Sequence, residues 1–262
     1  MGTHRTTLRT ITAPVVLGLV LVGLWQLLVS RAGWPAFVLP APGDVLVRLG
    51  NDLSGPLLWR ALGLTLIEAL GGCAVGLLAG IPLAVAIHES RWFSAAVNPF
   101  LGATQAIPAI ALAPLLVLWI GYGLPAVVLL CALMVFFPIL VSALLGLRHV
   151  DPEVVDAARM DGAGRASLLA FIEGPLALPS ALAGLRNGFT LSITGAVVGE
   201  MVMGGNGMGQ LLTVQRDQVD TVGMFSTLFA LCTVASTIYS LIRHFERSLR
   251  LEDSRPLRKA SR

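Results

Sequence analysis

An all-α membrane protein with about six transmembrane helices is the fold class that this sequence predicts, and three observations predict it. Hydrophobic residues fill 55% of the 262 positions and charged ones 13%, for a mean hydropathy of +0.81. No charged residue occurs between Arg91 and Arg148, an interval that holds two crossings at roughly 20 helical residues per ~30 Å of hydrocarbon. One long polar interval, residues 151–179, separates two strongly apolar blocks and reads as an elbow outside the bilayer.

Residues 1–10 form an N-terminal tail, and residues 11–247 the membrane domain. The first span covers residues 11–30, an apolar run longer than the core of a cleaved signal peptide. Asp44 is placed to N-cap a short interfacial helix that holds Val45, Leu46 and Leu49. In the second span, residues 61–87, Gly72, Gly76 and Gly80 repeat at four-residue spacing and let another helix approach closely. Packing inside one subunit is the simpler use of that ridge. Glu68 lies in the same span ~12 Å from Arg60 along the helix, so a functional position inside the membrane and an outer-leaflet or aqueous one both stay open.

The run Gly121-Tyr122-Gly123-Leu124-Pro125 divides the charge-free interval into spans three and four. Pro108 and Pro114 each remove a helix donor, so span three is kinked or broken at depth, just after Thr104 and Gln105. Broken backbone in a bilayer is buried in protein or lines a wet cavity, so Gln105 and Pro108 are candidates for a pathway lining as well as for plain packing. Span five, residues 181–203, is the most polar, with Asn187, Thr190, Ser192 and Thr194 ahead of Glu200. Such groups bond neighbouring helices or face water. Glu200, expected ionised at the outer end of this span, is either hydrogen-bonded to the glycine-rich residues 204–209 as a gate or a lone carboxylate that snorkels to water. Span six covers residues 221–242, and residues 248–262 form a basic tail. Cys73, Cys131 and Cys232 fall inside spans as packing residues and imply neither disulfide nor metal.

The elbow reads locally as a helix start. Asp151 is an N-cap, Pro152 suits the first helical position, and Glu153 and Asp156 sit where the helix dipole favours acids. Gly162 and Gly164 permit a sharp turn, after which residues 167–172 continue as a second short helix. With both termini inside, the inner segments hold thirteen basic residues and the outer ones four, Arg186 being unassigned. The positive-inside rule therefore puts the elbow and both termini in the cytoplasm. The net charge of +3 is mainly this bias, and nothing in it points to nucleic acid.

This elbow resembles the signature loop of the permease subunits of ABC importers: Glu-Ala-Ala, three residues, Gly, nine residues, Ile, one residue, Leu-Pro. Here it reads Asp156-Ala157-Ala158, Gly162, Ile172 and Gly174-Pro175, departing by Asp for Glu and by Gly174 for Leu. The series Ile107-Pro108, Pro114-Leu115, Leu118-Trp119 and Gly121 is similar to the nitrate, sulfonate and taurine subgroup, as are Gly184-Leu185-Arg186 and Glu200-Met201. The resemblance covers residues 39–245. It implies a multi-pass permease of the bacterial cytoplasmic membrane, whose coupling elbow docks on a separate ATPase through Asp156, Ala157, Ala158, Gly162, Ile172 and Pro175. It also implies an extracytoplasmic solute-binding protein, a homodimer in which two sets of six spans form the pathway, and a small solute such as a sulfonate, taurine, nitrate or a vitamin precursor.

The chain's one lysine is Lys259, so it holds no GxxxxGK[ST] phosphate loop, and ATP chemistry belongs to another chain. A secondary transporter is the competing reading; it gives the elbow no use and is separated by whether uptake follows ATP or an ion gradient. An intramembrane hydrolase needs a nucleophile with a base, or a metal, within the spans. His4, His88, His149 and His244 lie at span ends or in tails, and no HExxH occurs. No enzymatic activity, cofactor or metal is expected of the chain itself.

Overall fold

The computed structural model describes residues 3–105 and 108–253, and its described residues form helices and no strand. Helix α1 is Thr3–Ala32, α2 Pro42–Ser54, α3 Pro56–Glu89 and α4 Arg91–Gln105. A 3-10 turn, Ala109–Leu112, leads into α5, Ala113–Ile120, and α6, Leu124–Arg148. The elbow contains α7, Pro152–Met160, and α8, Arg165–Leu168; a π turn, Leu169–Glu173, joins α8 to α9, Gly174–Met203. Helices α10, Met208–Asp217, and α11, Thr221–Asp253, complete the described chain.

Among the described residues, four stretches are long and apolar enough to cross a membrane: Pro56–Glu89, Leu124–Arg148, Arg165–Met203 and Thr221–His244. Val16–Ala32 and Ala109–Ile120 are shorter apolar helices, so of the six expected spans the second, fourth, fifth and sixth appear at full length and the first and third only as these shorter segments. Span three is broken: α4 ends at Gln105, Pro108 is extended at φ −67° and ψ 106°, and helix resumes only through the 3-10 turn. Pro114 falls in the first turn of α5, where its missing donor costs nothing.

Three boundaries differ from the sequence reading. Asp44 does not cap α2; the helix starts at Pro42 after Ala41, which makes no side-chain cap, and Asp44 lies in the first turn. Proline's fixed φ starts the helix two residues earlier. The expected second short elbow helix is not separate, because helical backbone runs from Arg165 through the π turn to Met203. There Gly174 N–H reaches back five residues to Leu169 O, and a Cβ on Gly174 would lie 2.6 Å from that oxygen. The wide turn takes in the extra residue and passes Pro175, which has no N–H to give, without ending the helix. Helix α11 likewise continues past residue 242 to Asp253, and the remainder of the basic tail lies outside the described residues.

By internal contacts the chain divides into two units. The first comprises Met1–Arg60 and Leu211–Leu231. In it Val45, Leu58 and Leu212 are buried, and Trp25 stacks on Phe229 with ring centroids 6.2 Å apart. Arg48 meets Asp52 and Asp220, each at 2.9 Å, while Ser226 donates to Asp52 at 2.6 Å. The Asp52 hydrogen bond, with the charges of both acids, holds the Arg48 guanidinium further above its ordinary pKa.

The second unit comprises Ala61–Gln210 and Cys232–Arg262 and is built around α6, whose Val127, Leu130, Cys131, Val135, Ile139 and Leu140 are fully buried. The α3 glycine ridge is used here, inside the chain: Gly72 faces Cys131, Gly76 faces Val135 and Gly80 faces Ile139. Two rows of four-residue period interlock, the glycines forming the groove for the larger row. Helix α9 approaches α6 in the same way, Gly184 against Ser142, Gly188 against Val135 and Gly195 against Met134. Ser192 Oγ donates to Ala69 O at 2.8 Å, tying α9 to α3. Cys73 and Cys131 are buried and Cys232 is exposed; all three are free.

Candidate functional site

Two places in the second unit concentrate the residues singled out above. At the elbow, Asp151 Oδ1 accepts the Glu153 N–H at 3.0 Å, and Pro152 occupies the first turn of α7. Gly162 then turns the chain at φ +89°, with no atom within 4 Å of where a Cβ would stand. Glycine is needed there for the left-handed backbone and not for room. Val155 and Leu168 bury the elbow's inner side, whereas Met160 is 88% and Phe171 80% exposed. Asp156 pairs with Arg159 at 3.1 Å in the open. Ala157 and Pro175 are exposed, and Ala158 and Ile172 half-buried.

At the far end of α9 lies Glu200, fully buried rather than in contact with water. Its Oε1 accepts the Thr65 hydroxyl at 2.6 Å, and its Oε2 accepts the N–H groups of Gly209 at 2.7 Å and Gln210 at 3.4 Å. Thr65 Oγ1 in turn accepts the Met208 N–H at 2.8 Å. The first three N–H groups of α10, which no helix can satisfy from within, are thus capped by side chains of α3 and α9, with a carboxyl group at the positive end of the helix dipole. Gly205, Gly207 and Gly209 lie directly against the Glu200 side chain, which explains the glycine-rich composition of residues 204–209. Glu68 is also buried, at 3% exposure, beside Glu200 and not towards an aqueous surface. The buried residues Thr65, Glu68, Ala69, Gly72, Cys73 and Gly76 share one helical face of α3, so helix rotation turns Glu68 inward.

The remaining candidates fall apart from this node. Asn187, Thr190 and Thr194 form one exposed stripe on α9, and the two threonine hydroxyls donate to the carbonyls of Arg186 and Thr190. Pro108 is exposed; the Gln105 side chain lies outside the described residues. Sequence reasoning missed the Thr65 cap and the pairing of Arg186 with Glu246, 2.6 Å apart, with the guanidinium also 5.2 Å from the Tyr239 ring centroid. No local signal links residues 60 or more positions apart.

Residues 75–251 match the family described as binding-protein-dependent transport system inner membrane component. Over 236 residues the chain is 42% identical to the riboflavin transport system permease protein RibX of Chloroflexus aurantiacus, covering 90% of this chain and 88% of that one. It is 33% identical to the formylaminopyrimidine transport permease protein ThiX of Halalkalibacterium halodurans, covering 90% and 94%. Among solved structures, an inward-facing MetNI methionine ABC transporter superposes with a TM-score of 0.68 at 19% identity, over 74% of this chain and 96% of that chain, a likeness of fold.

Proposed function

The chain belongs to the binding-protein-dependent transport inner membrane family and is the permease subunit of an ABC importer; from that premise we propose how its parts serve transport. The elbow receives an ATPase subunit on the cytoplasmic side, through Asp156, Ala157, Ala158, Gly162, Ile172 and Pro175 together with Met160 and Phe171. One observation carries this reading: Met160 and Phe171, 88% and 80% exposed, are the most exposed large apolar side chains of the elbow. Seating each in a partner's groove recovers about 1.5–3 kcal/mol of apolar burial. The helical path from Arg165 to Met203 then passes an elbow displacement along α9 to Glu200, whose hold on α10 forms the gate.

Two copies pair so that the exposed Asn187, Thr190 and Thr194 stripe, with Gln105 and Pro108 from the break in span three, faces an aqueous pathway. Amide and hydroxyl groups are poorly suited to lipid and well suited to such a surface. An extracytoplasmic binding protein delivers the solute. RibX and ThiX are named for a vitamin and a formylaminopyrimidine. The α9 stripe offers hydroxyl and amide groups and no basic side chain, which favours an uncharged heterocycle of that kind over a sulfonate or nitrate.

The test is reconstitution of the chain with its ATPase and binding protein in proteoliposomes. ATP-driven uptake of riboflavin or a formylaminopyrimidine in preference to taurine is expected, and Met160→Asp with Phe171→Asp should abolish copurification of the ATPase. Retained ATPase binding by that double variant would overturn the elbow assignment, and preferred taurine uptake would overturn the solute class.

A further inference from the structure

We propose that His88, Glu89 and Glu173 bind a divalent transition-metal ion, of the Zn²⁺ or Mn²⁺ class, that staples the end of α3 to the π turn ahead of α9. Each residue brings one ligand atom, and these atoms all lie within 4.8 Å of one another, the one such grouping among the described residues. His88 Nε2 and Glu173 Oε2 are 3.3 Å apart. Two ligands at about 2.1 Å from a tetrahedral ion stand roughly 3.4 Å apart, so this pair already has the spacing of a coordination edge. The side chains of Glu173 and His88 are only 10% and 20% exposed, which holds them in place, while Glu89 at 31% has freedom to swing in.

The backbone supports the same arrangement. Glu173 is the last residue of the π turn, and the wide turn sets the side-chain direction on that helix; such turns recur at binding sites. A polar cleft of about 610 Å³ opens beside the three residues and gives an ion its route and the water that completes its coordination. One imidazole and two carboxylates, without thiolate, suit borderline and harder divalent ions. Arg165 is the competing cation, 3.8 Å from Glu89, but its side chain is 84% exposed and easily displaced. Arg91 and Arg159 also line the cleft and oppose the ion by like charge; the two carboxylates in direct contact offset them.

The purified full-length chain, carrying a tag without histidines and stripped with EDTA, is titrated with ZnCl₂ and with MnCl₂ by calorimetry, and its thermal unfolding is followed with and without metal. One ion per chain and a metal-dependent rise in Tm are expected. His88→Ala and Glu173→Gln should each weaken binding at least about tenfold, as Glu89→Gln should to a smaller extent, while His149→Ala and Glu153→Gln leave it unchanged. Should His88→Ala prove unstable in EDTA, the more exposed Glu89 decides the matter. Wild-type affinity in Glu89→Gln and Glu173→Gln, or no saturable binding of either metal, would leave His88 and Glu173 as a hydrogen-bonded pair only and overturn the proposal.

Discussion

Replacing Glu200 by leucine tests the α10 cap, and its effect is worked from the bonds that Glu200 makes. The N–H groups of Gly209 and Gln210 lose their carboxylate acceptor, whereas the Thr65 hydroxyl keeps a second one in Ala61 O at 3.2 Å. A buried donor stripped of its acceptor costs about 1–3 kcal/mol; with Gln210 partly exposed and its bond long, the sum is about 2–4 kcal/mol. Glutamine separates this from a general effect of volume. Its oxygen takes the place of Oε2 and keeps both N–H groups, and its amide faces Thr65 Oγ1, whose proton turns to Ala61 O. That exchange costs less than about 1 kcal/mol. Unfolding of the purified chain in one detergent, measured with ATP-driven uptake in proteoliposomes, reads both consequences. Leucine should lower Tm and uptake and raise ATP hydrolysis without solute; glutamine should change little. Leucine at wild-type stability, or glutamine as damaging as leucine, would refute the capping argument.

Gly162→Leu should preserve membrane insertion yet uncouple ATP hydrolysis from uptake. Its φ of +89° costs a non-glycine residue about 1–2 kcal/mol, not because the side chain meets a neighbour but because the backbone resists it; coupled transport at the wild-type ratio of ATP to solute would contradict this. Gly72→Leu forces apart α3 and α6 at Cys131 and should cost about 3 kcal/mol or more of stability, while Gly63→Ala, with open space around it, should stabilise α3 by about 0.5–1 kcal/mol. Equal melting temperatures for the two would count against the glycine groove. Single cysteines at Gln105, Pro108, Asn187 and Thr190, with Cys73, Cys131 and Cys232 replaced, should react with a small water-soluble thiol reagent; protection of all four in every nucleotide state would argue for helix packing. Arg186→Met removes the 2.6 Å ion pair with Glu246 and should lower Tm, and a double-mutant cycle with Glu246→Gln should show favourable coupling between the two side chains; no coupling would count against the pair.

Local chemistry settled the helical class and the apolar segments. The apolar segments follow from composition, the break in span three from Pro108, and the start and turn of the elbow from Asp151, Pro152 and Gly162, because each effect acts within a few residues of its cause; Pro114, expected to disturb the same span, instead starts α5. The path from elbow to α9 was less legible, since whether Gly174-Pro175 ends a helix or is passed by a π turn depends on a carbonyl five residues back. Side-chain partners were decided by tertiary structure alone. Thr65 and Met208 are 143 residues apart, Thr65 and Glu200 135, His88 and Glu173 85, Arg186 and Glu246 60. Which of these meet depends on the rotation and depth of whole helices, set where the glycines of α3 and α9 seat against α6. A hydrophobic period shows that Glu68 and Glu200 lie on membrane helices. Only close packing turns both carboxyl groups to the same interior point.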